Sequence, residues 1–262
     1  MTAPRPITFV PYLTLLSVFV LVLPQPSFAA EGVLEINQIC ATTGGCFPGD
    51  TPDFPVTLTQ PGQYRLTGNL VVPDENTTAI SIFASHVAID LAGFRIEGPG
   101  TTGTGDGIAQ PLAFSHARVQ NGFVVGVGNR GLVLEQNSRA EGVTVEDSGG
   151  TGIQMDFGSV VRDCIVRRAG ADGISLGGGS RVIGNLVEDA GGVGIDESNA
   201  SLIFDNVVRG STSFGLRSNT NSIFGGNSFT LNSGGGTLAP QTGPSLPVTL
   251  SGNICGSDTT CP

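Results

Sequence analysis

The 262-residue sequence predicts an all-β fold, a single chain wound into a parallel β-helix (a β-solenoid) of about seven coils and capped at both ends. Three observations predict it: a gapless 21-residue period, apolar residues alternating over short runs, and turn residues at fixed positions. Cut at that interval, Arg118–Ser222 divides into five blocks, each ending in serine: Ser138, Ser159, Ser180, Ser201, Ser222. Valine stands seventh in every block, from Val124 and Val145 to Val208, and a Gly-aliphatic step stands at positions fourteen and fifteen, as in Gly131-Leu132 and Gly152-Ile153. A fixed period of this length means stacked supersecondary units, each burying its apolar side against the next.

Ahead of the repeat, residues 1–29 read as a signal peptide. Leu13–Leu23 is an apolar run too short for a membrane span, and Ser27-Phe28-Ala29 is a small-x-small cleavage signal. The expectation is an exported chain, secreted to the periplasm or beyond, with no span after cleavage. Cysteine usage agrees: Cys40 and Cys46 form one local pair and Cys255 and Cys261 another, which an oxidising compartment would close as disulfides. Residues 30–55 read as an N-terminal cap, because a stack of open coils ends in unpaired backbone and exposed core.

Coils then occupy residues 56–236. The first two are irregular: Val87, Ile89 and Leu91 alternate as in a strand, and Gly98–Gln110 is the single long insertion between coils. Residues 237–262, with four prolines and the last two cysteines, read as a tail.

Within the repeat, positions two, seven and fifteen are apolar and read as inward columns. Runs of three to five residues broken by Gly, Asn and Ser are strand-and-turn chemistry, never helical spacing. In-register stacking would then repeat every column at about 4.8 Å. The glycines at position fourteen are expected to supply positive φ at a corner. Asn185, Asn206 and Asn227 share position five and are expected to form a hydrogen-bonded ladder, with Cys164 one coil earlier as a buried free thiol.

Coils of the form N-x-V…G-I-x-L…S resemble the repeats of right-handed parallel β-helix proteins. That pectin-lyase-like superfamily includes pectate lyases, polygalacturonases, alginate epimerases and periplasmic copper-site maturation proteins. The resemblance covers about Val56 to Gly236 and implies a right-handed coil; its matching residues are core and turn positions, so it says little about activity.

Charge narrows the function classes. All twelve basic residues are arginine, and a net charge of −10 disfavours nucleic acid or an anionic membrane as a partner, except at a local basic patch or through a bridging cation. Positions eight and nine carry Glu146-Asp147, Arg167-Arg168, Glu188-Asp189 and Arg209, which stacking would set above one another with alternating sign. One reading is an ion-pair ladder that replaces like-charge repulsion between strands with attraction. The other is a polysaccharide site, as the resemblance implies: Asp147 and Asp189 hold Ca²⁺ against an acidic sugar, while Arg167 or Arg168 removes a proton, with Glu146, Glu188 and Arg209 binding. Lacking coil insertions that would wall a cleft, the sequence favours a non-catalytic module that binds extracellular polysaccharide or an envelope protein along its flank, without metal or cofactor. A Ca²⁺-dependent lyase is the alternative. His86 and His116, at the starts of adjacent strands, are expected as surface neighbours. Position six, from Phe123 to Val207, is an outward apolar stripe that the tail around Leu238–Leu250 is expected to cover.

Overall fold

A computed structural model describes residues 32–218, 221–232 and 248–256. The predicted signal peptide and Cys261 lie outside the described residues. The described chain is an all-β parallel solenoid with one short helix, Gln38–Thr43.

Three parallel ladders run along the rod. The first joins ten strands, from Val33–Ile36 to Val248–Thr249. The second joins eight, from Val56–Leu58 to Leu216–Arg217. The third runs from Leu70–Val71 to Ser228–Thr230. Through the regular coils the register advances by the period, as in Ile153↔Ile174↔Ile195. First and third ladders are continuous through Arg118–Val125 and Arg139–Glu146, two eight-residue strands that bend at Asn121 and Gly142.

Inward columns form the core. Positions two, seven and fifteen are fully buried in every regular coil, for example Val161, Val166 and Ile174. Cys164 is buried and free, and burial pushes its thiol up to about 11.

The corners are left-handed, but not where expected. Positive φ falls in position four (Asn121, Gly142, Asp163, Gly184, Asp205, Gly226), in position nine (Asp147, Arg168 and Asp189 among them) and in position twenty. None of the position-fourteen glycines has positive φ. Their reason is close approach. A Cβ on Gly131 would lie 2.4 Å from Val145 Cγ1, and one on Gly152 the same distance from Val166 Cγ1. The seventh-position valine of each coil fills the space that the fourteenth-position glycine of the coil before it leaves open.

Both ends of the stack are closed by strands added in register. Val33–Ile36 pairs with Gly62–Leu66, and the following helix buries Ala41 against the core. Cys40 and Cys46 are joined by a disulfide. At the far end Val248–Thr249 pairs with Ile223–Gly225, and Ile254 bridges Ser228. The parallel ladder therefore extends past residues 56–236 on both sides. Cys255 is buried and disulfide-bonded; its expected partner Cys261 lies outside the described residues.

Of the tail expected to cover the position-six stripe, the structure describes only the last three residues. The described part, Val248–Leu250, continues the stack below the last coil instead of lying on the position-six stripe; residues 238–247 lie outside the described residues. Unpaired backbone at the rod's end is the reason: Leu250 N donates to Phe224 O at 2.9 Å and Ile254 N to Asn227 O at 2.8 Å. In the stripe itself, Phe123 lies under the Arg95 guanidinium at 5.3 Å, and Val207 is 42% exposed.

The insertion Gly98–Gln110 is also part of the stack. Gly98 N donates to Val125 O, Gly105 N to Glu75 O, and Asn129 N to Gly105 O. Within it Asp106 is buried, accepting from the Asn129 side chain and from the backbone and guanidinium of Arg130. It does not stand out as a wall.

Candidate functional site

Positions eight and nine meet as the column reading requires, because each residue sits one rung from its counterpart. Arg167 lies between two carboxylates: its Nε donates to Glu188 Oε2 at 2.6 Å and its Nη1 to Glu146 Oε1 at 3.0 Å. Arg209 closes the series from below, its Nη2 2.5 Å from Glu188 Oε1. At position nine Arg168 grips Asp147 with two bonds, of 2.7 and 2.9 Å. Asp189 turns its side chain over Gly210, where a Cβ would collide with its Oδ1. All eight-and-nine candidates are thus close together, and nearly all their charge is spent on one another.

Electrostatics follow the pairing. Hydrogen bonds from Arg167, opposed by desolvation and aided by Arg209, hold the Glu188 carboxyl below its ordinary range. The Arg168 guanidinium does the same for Asp147. Bonds to Glu188 and Glu146 push Arg167 further up, and a bond to Asp147 pushes Arg168 up. A proton-abstracting arginine requires a shift in the opposite direction. Nor do Asp147 and Asp189 suit one Ca²⁺: their backbones are two rungs, roughly 10 Å, apart with Arg168 between them. Two ligands of a single ion at 2.3–2.6 Å lie within about 5 Å of each other. Among the described residues no three His, Cys, Asp or Glu side chains converge as a metal site.

His86 and His116 stack face to face, with ring centroids 4.7 Å apart and planes 3° from parallel. Their rings repeat the rung spacing, and Ser115 Oγ lies 2.8 Å from His116 Nδ1.

Two surface features escaped the sequence reading. On the outer face of the second ladder a groove of about 350 Å³ is lined by, among others, Leu112, Glu135, Gln154, Asp156, Phe157 and Ser175. Leu112 is 77% and Phe157 56% exposed. Burial and the neighbouring Asp156 raise the Glu135 carboxyl. Phe157 stands in a turn outside the inward and charged columns, so periodicity carries no signal for it. The other feature is on the first ladder: the four arginines without an ion pair among the described residues, Arg65, Arg139, Arg162 and Arg181, all point outward there. Positions one and three, read as columns, carry that signal.

No curated protein and no solved structure matches this chain significantly. The family model described as a right handed beta helix region matches residues 104–254, more than half of the chain, and spans every regular coil. Its match and the stacked parallel ladders agree, and the chain belongs to the right-handed β-helix family.

Proposed function

We propose that the protein is an exported, non-catalytic β-helix module that binds a glycan or a protein along its flank, or serves as an envelope or extracellular scaffold. The observation that supports this reading is the closed charge ladder. Arg167 and Arg168 are protonated and held by carboxylates, so neither is free to abstract a proton. The second-ladder groove offers what flank binding uses: an exposed aromatic face at Phe157, the Gln154 amide, and carboxylates at Asp156 and Glu135. Export is supported by the cleavage signal at Ser27–Ala29 and by the Cys40–Cys46 disulfide.

The discriminating experiment is incubation with a panel of acidic polysaccharides, with and without Ca²⁺, read by ultraviolet absorbance of unsaturated products. No product is expected under either condition. Product release that disappears in Arg168→Ala would overturn the proposal in favour of a lyase.

A further inference from the structure

The net charge of −10 hides a segregated surface. Arg95, Arg118, Arg130, Arg167, Arg168, Arg209 and Arg217 each make an ion pair. The unpaired Arg139, Arg162 and Arg181 lie on three successive strands of the first ladder, exposed and outward, immediately below Arg118. Across those four strands the outward positions one and three hold four arginines against one carboxylate, Glu141, a local charge of +3, or +2 with Asp163 at the corner. Arg65, higher on the same face, stands between Glu35 and Asp90 in register and is balanced by them.

The same two columns then become apolar without interruption. Arg181 is followed in register by Leu202 and Ile223, and Arg162 by Ile183 and Phe204. All four apolar side chains are partly exposed. Leu250, 47% exposed, extends this patch beyond Gly225. One sheet face therefore presents guanidinium groups on one half and aliphatic and aromatic groups on the other, on strands paired in register.

We infer that this face docks on an anionic phospholipid surface, with Arg139, Arg162 and Arg181 against phosphate headgroups and Ile183, Leu202, Phe204 and Ile223 against the acyl boundary. Arginine matches phosphate bidentately, and an exposed apolar patch beside a basic one is the pairing that interfacial binding requires. A soluble polyanion would use the arginines but leave the apolar half without a role. The acidic remainder of the molecule does not forbid this. Asp205, exposed at the same corner beside Phe204, brings the charge of the whole face to +1, still opposite in sign to the rest of the molecule. This inference rests on the reading of the protein as an envelope module; the vesicle experiment tests the face, whereas the product assay tests catalysis, so either can fail alone.

The test is co-sedimentation of the mature chain with phosphatidylcholine vesicles and with vesicles containing 30% phosphatidylglycerol, at low and high salt, using roughly fivefold per arginine as the expected electrostatic scale. Binding is expected only to the anionic vesicles, with weakening in high salt. Arg139→Gln with Arg181→Gln should weaken it by roughly 25-fold on that scale. Leu202→Ser should weaken it with the salt dependence retained. The glutamine substitutions remove no ion pair, so melting temperature should be unchanged and a loss of binding is not a loss of fold. Equal binding to both vesicle types, or none to either, overturns the inference. Arginine-dependent binding to soluble polygalacturonate without vesicle binding also overturns it, and assigns the strip to a polymer.

Discussion

Glycine does two separate jobs in this repeat. At Gly158, Gly179 and Gly184 it accepts φ near +70°, which costs an L-residue about 1 kcal/mol. At Gly131, Gly152, Gly173 and Gly194 φ is ordinary, and the missing Cβ leaves room for a valine methyl. Gly152→Ala is therefore an overpacking substitution, expected to cost about 1–3 kcal/mol in denaturant unfolding. Combined with Val166→Ala, its cost should be less than the sum of the two without vanishing, because the added Cβ would lie 2.4 Å from Val166 Cγ1 and 2.7 Å from the Gly173 carbonyl oxygen. Strict additivity would show that the carbonyl, and not the valine, is what excludes the methyl. Asp163 and Asp205 belong to the same logic: each turns its side chain over a glycine one rung away, Gly184 and Gly226. They stabilise a corner and do not form a carboxylate pair.

At the scale of the element, polar columns do what strand hydrogen bonds alone do not. Each serine hydroxyl accepts from the backbone amide of the residue one coil before, as Ser180 Oγ does from Ser159 N at 3.2 Å. These serines are fully buried, so the column satisfies a corner amide that water cannot reach. The asparagine ladder is denser. Asn206 Oδ1 accepts from Asn185 N and Asn185 Nδ2, both at 2.9 Å, while Asn206 Nδ2 donates to Val182 O and Asn227 Oδ1. Asn253 of the end segment continues it, accepting from Asn227 N at 3.0 Å. Replacing Asn206 with leucine would orphan several buried groups at about 1–3 kcal/mol each, so a loss of about 3 kcal/mol or more is expected in denaturant titration.

The charged column responds to pH with a defined sign. Glu188 is 9% exposed, and Arg167 holds its folded-state pKa below the unfolded value. The unfolded chain therefore binds the proton first as pH falls. The stabilisation is present above the ordinary glutamate pKa of about 4.3 and is lost as pH drops through the folded value. Melting curves should show wild type exceeding Glu188→Gln at pH 7 and the difference shrinking below about pH 4. A difference that is constant with pH would remove the ion pair from this account. Exposed pairs such as Arg168–Asp147, with half of the arginine accessible, should contribute at most about 1 kcal/mol.

At the scale of the whole molecule, the consequence of stacking is that every column becomes a stripe, uniform in the core and at the serine corner but changing in chemistry along the outer face. Apolar stripes make the core, serine and asparagine stripes line corners, and alternating charges neutralise each other along one edge. What is left over on the outside is informative because so little is left: unpaired arginines gathered on one ladder, and Phe157 and Leu112 beside carboxylates on another. Along the regular coils the described outer surface is a set of stripes and shallow grooves. The even spacing of Ser138 to Ser222 leaves no insertion between those coils.

The inward columns, the coil's parallel stacking, the buried Cys164, the asparagine ladder and the charge alternation from Glu146 to Arg209 were all legible in the sequence alone. They depend only on which residues share a position in the period, and in-register stacking turns a shared position into a contact. Tertiary structure decided the rest. Whether a glycine is needed for φ or for space depends on what lies in the next coil, not on its neighbours in the chain. Where the end segment goes depends on the unpaired backbone of the last coil, which took Val248–Thr249 as one more rung. And which arginines remain free depends on three-dimensional neighbours: Arg167 and Arg168 have acids one rung away, whereas Arg139 and Arg181 face Val160 between them. Periodicity sets what stacks on what; only the folded surface shows which charges are left unanswered.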